Sequence, residues 1–157
     1  MSVLRAQFPS KEIALLAYDY RTSGLGYANI GGLLMSAGIP YDSREGRAIA
    51  GAITAVLTGI SYATSAEMAG ELGAFPRFAA NHDAMLPVIR NHKRAAYGEV
   101  AEYEGLATPP VALDHQAILD GDLSEAAKAA WDQALYLGER HGYRNAQVTV
   151  LAPTGTI

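Results

Sequence analysis

The sequence predicts an α/β protein that is mostly helical, with a strand near its C-terminus. Two observations carry this. Apolar residues recur at i, i+3, i+4 and i+7 in several stretches separated by glycine and proline, which is helical spacing. From Ala146 to Ala152 the period changes to two, the spacing of a strand. Half of the 157 residues are hydrophobic, and a chain of this length withdraws about two thirds of its unfolded surface from water. A core is therefore expected without cross-links, and with no cysteine present none can form.

Pro9-Ser10 ahead of Lys11 to Leu16 predicts a first helix over 10–20, with Ile13, Leu16 and Ala17 on one side. Arg21 to Gly26 is a glycine-punctuated connection. Ile30, Leu33, Leu34 and Ala37 predict a second helix over 27–37, stopped by Gly38-Ile39-Pro40. Asp42-Ser43-Arg44-Glu45 has the form of a capping box, with the Asp42 carboxylate on an orphan amide and Glu45 reaching back. It opens a long helix over 43–72 whose stripe is Ile49, Ile53, Val56, Ile60 and Ala63, continuing toward Met68, with Gly73 as a left-handed stop. Glycines 46, 51, 59 and 70 each cost this helix up to about 1 kcal/mol relative to alanine, so close packing is expected to compensate.

Asn81 reads as the cap of a helix reaching Tyr97, with Pro87 as a kink inside it. Residues 98–121 contain Pro109-Pro110 and no clean period, the signature of a long surface loop. Asp122, with Glu125 at N3, opens a last helix over 123–141 that carries Ala127, Trp131, Ala134 and Leu135 on its stripe and ends at Gly142. The expected core contains Ile53, Val56, Ile60, Trp131 and Leu135, and the expected surface contains Arg94, Glu102 and Glu104.

Charge and motifs exclude several functions. The chain has 12 Lys+Arg against 16 Asp+Glu, a net charge of −4, so no basic field collects nucleic acid. The most apolar stretch, Ala48 to Ile60, spans about 20 Å of a roughly 30 Å hydrocarbon layer, and the first residues lack a charged and an apolar leader region. No membrane and a cytoplasmic location are expected. The histidines, His82, His92, His115 and His141, have no metal-ligand spacing, so no metal site is expected. Gly24-Leu25-Gly26 lacks the third glycine of a dinucleotide fingerprint, because position 29 is Asn29. Arg90 to Arg94 reads as a solvated helix face that could also meet a phosphate or an acidic partner, and Glu99, Glu102 and Glu104 read as exposed loop charges. Neither a nucleophile elbow nor a P-loop lysine pattern occurs. Pro153-Thr154-Gly155-Thr156 differs from these, because a strand entering a Thr/Gly turn presents amides and hydroxyls to an anion.

Several stretches together resemble one family. Arg21-Thr22-Ser23-Gly24-Leu25-Gly26-Tyr27-Ala28-Asn29, Gly38 to Gly46, Tyr62-Ala63-Thr64-Ser65-Ala66-Glu67 and, most sharply, Tyr143 to Ile157 resemble the large catalytic subunit of ribonucleotide reductases. Arg90 to Gly98 resembles the adenosylcobalamin-dependent, class II branch. The resemblance implies that the chain is a single partial domain, an internal segment of a ten-stranded α/β barrel. It implies reduction of a ribonucleotide substrate to its 2′-deoxyribonucleotide by a thiyl radical, with adenosylcobalamin as cofactor and a thioredoxin-type reductant and the remainder of the barrel as partners. It further implies that Pro153, Thr154, Gly155 and Thr156 bind the substrate phosphates. The absence of cysteine means that none of these 157 residues is a catalytic thiol, so the segment contributes scaffold and substrate binding. A segment of an iron-dependent class I large subunit and a non-catalytic helical interaction module are the alternatives.

Overall fold

A computed structural model describes residues 6–152 of the chain. Its helices are α1 (Lys11–Tyr20), α2 (Ile30–Ser36), α3 (Arg44–Leu72), α4 (Phe78–Ala96) and α5 (Gly121–His141), with a 3₁₀ turn at His115–Ala117. The predicted helices are present, and their caps shift some boundaries. Ser10 accepts from the Ile13 amide at 3.3 Å and starts α1. Ser43 caps α3 by accepting from Gly46 at 2.9 Å, which leaves Asp42 to pair with Arg47 at 2.6 Å. Asp120, two residues before the expected cap, receives the amides of Asp122 and Leu123 and starts α5. α4 begins ahead of Asn81, whose side-chain amide instead donates to the Arg77 carbonyl at 2.8 Å, and it continues through Pro87.

The α/β expectation is overturned. Among the described residues there is no strand and no sheet, only an isolated parallel bridge between Leu25 and Thr149. The predicted strand over 146–152 is an extended segment, and the barrel expected from the resemblance has no strands in these residues. The physical reason is that alternation dictates extension, while a sheet also needs a partner of matching length. The neighbour here is Ser23 to Leu25, flanked by Gly26, and the ladder is only one bridge long. Alternation still marks sidedness, since Val148 is buried and its neighbours are not.

The core forms where α3 and α5 meet along faces of small residues. α3 buries Gly46, Ala48, Ala52, Gly59, Ala63, Ala66 and Ala69, and α5 answers with Ala127, Ala130, Ala134 and Gly138. A methyl on Gly59 would stand 2.8 Å from Ala130 Cβ, so the backbones approach as closely as glycine allows. Around this seam pack Trp131, Tyr143, Phe75, Ile89 and Leu86, with α4 closing one side. Trp131 is thus core as expected, and Leu135 packs half-buried against it. Ile53 and Val56 are only half-buried and Ile60 is 46% exposed, against expectation. Side-chain size explains the inversion: the face of α3 with the smallest residues allows the tightest helix contact, so the branched residues are turned to the flanks.

α3 is 29 residues long with a mean hydropathy of 1.4 across its most apolar window, long and apolar enough to cross a bilayer. Its length therefore does not argue against a membrane. One face of the helix is filled by α5 and another is hydrogen-bonded to loops, and 33% of its most apolar window is buried.

Candidate functional site

The polar residues of α3 are spaced along one side of it. Thr54, Thr58, Tyr62 and Ser65 recur at intervals of four, four and three, and each receives a loop. The Tyr27 hydroxyl lies 2.8 Å from Thr54 Oγ1, and Thr149 Oγ1 lies 3.1 Å from Thr58 Oγ1. Tyr62 donates its hydroxyl to the Ala146 carbonyl at 3.3 Å, and burial pushes its pKa up, keeping it a donor. The Ser65 hydroxyl donates to Asn145 Oδ1 and accepts from the Asn145 amide, both at 2.9 Å.

This stripe draws both loops into a single seam. Asn145 Nδ2 donates to the Arg21 carbonyl at 2.7 Å, and the Ala146 amide donates to Tyr20 at 2.9 Å. Beyond them the Ser23 amide donates to Gln147, the Leu25 amide to Val148 and the Val150 amide back to Leu25, at 2.8, 3.0 and 2.8 Å. Arg144 anchors the entry by donating to the carbonyls of Leu72 and Gly73 at the end of α3, where cations are favoured. Three of the sequence stretches that carry the resemblance, 21–29, 62–67 and 143–152, therefore meet in space.

Pro153, Thr154, Gly155 and Thr156 lie outside the described residues. In sequence the segment held by this seam precedes them directly, with Val150 bonded to Leu25. Sequence reading passed over Ser65, Asn145 and Thr58. The signal was there, as serine and threonine at helical intervals in an otherwise apolar helix, a pattern that asks for partners.

A cavity of about 570 Å³ lies between α3, α4 and residues 111–114, with Thr58 common to its wall and the seam. Arg44 at its mouth is paired with Asp114 at 2.6 Å. His92 lies flat on Trp131, with ring centroids 4.8 Å apart and planes 6° from parallel, and loss of water on that face lowers its pKa. His115 donates from Nε2 to the Ala96 carbonyl at 2.8 Å and meets Ser124 Oγ through Nδ1, so it ties 98–121 to α4 and α5. No group of His, Asp and Glu among the described residues is arranged to hold a metal. The cavity itself is small-molecule sized and walled by packed helices, so it does not enclose a corrin. No step is therefore assigned to a cofactor held by these residues.

The expected loop charges divide. Glu102 is exposed, but Glu104 and Arg94 are half-buried in one network. Arg90 grips Glu104 through two hydrogen bonds of 2.7 and 2.6 Å, Arg94 adds one at 2.8 Å, and Asn91 exchanges two bonds with the Glu104 backbone. The Arg90 hydrogen bonds, followed by those of Arg94, hold the Glu104 carboxyl at about 2. The basic run 90–94 is thus partly spent on internal pairing. Because the folded pKa lies below the ordinary 4.5, the stability it brings is present above pH 4.5 and is lost as pH falls through about 2. The denaturation midpoint of Glu104→Gln is expected to fall below wild type at neutral pH and to converge with it near pH 2, as a pH series of urea titrations would record.

A family model described as "Ribonucleotide reductase, barrel domain" matches residues 1–157. The chain is 71% identical over its whole length to a protein of Agrobacterium fabrum named vitamin B12-dependent ribonucleotide reductase, and 64% identical to one of the same name from Bradyrhizobium diazoefficiens. It spans 12% of the length of each. A protein of that name from Streptantibioticus cattleyicolor is 43% identical across the chain, which spans 24% of it. With the family pattern matched from first residue to last, and its separate stretches converging on one seam, the chain belongs to the ribonucleotide reductase family.

Proposed function

We propose that the chain contributes scaffold and a substrate-phosphate turn to a vitamin B12-dependent ribonucleotide reductase, which reduces ribonucleotides to 2′-deoxyribonucleotides for DNA synthesis. The observation that carries this is the identity of 71% and 64%, across all 157 residues, to proteins named for that activity. That shared name favours the cobalamin-dependent branch over the iron-dependent one and over an interaction module. Adenosylcobalamin is the cofactor, a thioredoxin-type dithiol the reductant and the cytoplasm the location in this reading. The radical and reducing thiols come from outside these residues, which contain no cysteine.

Within this reading Thr154, Gly155 and Thr156 bind the substrate phosphates, with Pro153 setting the entry to the turn. A glycine at 155 lets the backbone approach an anion without a Cβ, and threonine hydroxyls at 154 and 156 supply donors to it. Support comes from the chemistry of these residue types.

The test is reduction of ribonucleoside di- and triphosphates by the full-length protein with and without adenosylcobalamin. Deoxyribonucleotide is expected only with the cofactor, and equal product without it would overturn the reading. Gly155→Val is expected to raise the substrate KM by at least roughly tenfold while leaving adenosylcobalamin affinity near wild type. Normal substrate kinetics in that variant would remove the phosphate assignment.

A further inference from the structure

α3 meets its two neighbouring helices differently. Toward α5 its small residues bring the backbones together, whereas toward α4 the same residue types leave space. A methyl on Gly51 would meet Leu113 Cδ1 at 3.2 Å and no atom of α4 within 4 Å. Ala48 and Ala55 on α3, with Ala95 and Ala96 on α4, line this gap, which is the cavity of about 570 Å³. Small-molecule sites span roughly 300–1,000 Å³, so its size suits one. Small apolar side chains around a void forgo the contacts that larger ones would make there, and an occupant lying between the two helices would recover them.

The polar groups of the cavity are committed, with one exception. Thr54 donates to the Ala50 carbonyl, and Thr58 meets Thr149. Arg44 is bound to Asp114 through two hydrogen bonds of 2.6 and 3.0 Å, and Arg47 is bound to Asp42, so neither sign of charge is left uncompensated at the mouth. The exception is His92. Both ring nitrogens of His115 are bonded, but those of His92 have no hydrogen-bond partner among the described residues. Trp131 lies flat against one face of the His92 ring, which holds these nitrogens in place without satisfying them. Desolvation lowers the pKa of the imidazole, so at neutral pH it is uncharged, a donor at one nitrogen and an acceptor at the other.

We propose that this cavity is a binding site for a neutral, planar nitrogen heterocycle, which lies between α3 and α4 and exchanges a hydrogen bond with a ring nitrogen of His92. Small residues on both walls favour a flat ligand, and the paired charges at the mouth favour an uncharged one. His92 selects a ring that can donate or accept. The site does not rest on the phosphate reading of Thr154 to Thr156.

The probe is 7-azaindole, a flat bicycle whose N–H stands beside a ring nitrogen, so that it matches either tautomer of His92. In the full-length protein it is expected to bind saturably, with a Kd below about 1 mM by equilibrium dialysis. Ala55→Leu fills the gap from the α3 side and is expected to weaken binding by at least roughly tenfold, with the denaturation midpoint at or above wild type. Should it lower the midpoint or fail to fold, Ala95→Leu fills the gap from α4 and carries the same readout. His92→Phe keeps a ring on Trp131 and removes both nitrogens. It is expected to weaken the azaindole about fivefold, the scale of one hydrogen bond, and to leave unchanged the binding of indene, a hydrocarbon of the same shape. Absence of saturable azaindole binding, or binding that the filling variants leave intact, would overturn the proposal. So would a His92→Phe variant that weakens both probes equally or weakens neither, because the cavity would then take any apolar solute without recognising a heterocycle.

Discussion

Gly138→Ala is expected to destabilise the fold by about 3 kcal/mol, although alanine is the better helix former by up to about 1 kcal/mol. Gly138 sits in the last turns of α5, and a Cβ there would overlap the hydroxyl and ring of Tyr143 and reach within 2.7 Å of Cε1. Tyr143 has no room to withdraw. It is fully buried, its hydroxyl donates to the Ala134 carbonyl at 2.9 Å, and its ring stands edge-on to Tyr62 and Phe78 at 5.4 and 6.1 Å. Adding Tyr143→Phe should not restore stability, because the ring carbons are obstructed as well as the oxygen. Urea midpoints of the single and double variants test both statements, and a midpoint for Gly138→Ala at or above wild type would show that the ring can move.

Trp131→Ala is expected to cost about 3–5 kcal/mol, the range for truncating a fully buried aromatic. The indole is 2% exposed, tilts against Tyr62 at 6.1 Å and forms the surface on which His92 lies. Its removal would join the space it fills to the cavity of about 570 Å³ that it lines, so the wall cannot collapse to recover the contacts. A second readout is independent of stability. With the indole gone, water reaches the covered face of His92, and its depressed pKa should rise toward the ordinary imidazole value, visible in the titration of its ring protons by NMR. Trp131→Phe should keep most of the stability and part of the shift.

The helices were legible in the sequence because caps, stripes and glycine stops agreed within each stretch, as at Ser10 for α1 and Gly142 for α5. The sequence pattern assigned two caps to Asp42 and Asp122, and the structure gives them to Ser43 and Asp120, because several residues near a helix start can each reach an orphan amide and local pattern alone does not rank them. The core of α3 was misread because hydrophobicity was weighed without size. Ile53 and Ile60 are more apolar than Ala52 and Gly59, yet close approach to α5 selects the small residues. The strand was misread because period two describes one chain, while pairing is a property of two. For the site, the contact that draws the loops together was not legible, since Ser65 and Asn145 stand 80 residues apart and neither is informative alone.

The seam also gives the molecule an order of assembly. Tyr143 meets Ala134 across 9 residues, whereas Asn145 meets Arg21 across 124 and Thr149 meets Thr58 across 91. Contacts closed over such long stretches must overcome more chain entropy before they return any energy, so they form late. The helices are expected to settle first, and the two distant ends of the described chain to be sewn together last. An event at Arg21 to Leu25, a proteolytic nick for example, would therefore be felt first at Val150, more than a hundred residues away in sequence and one hydrogen bond away in space.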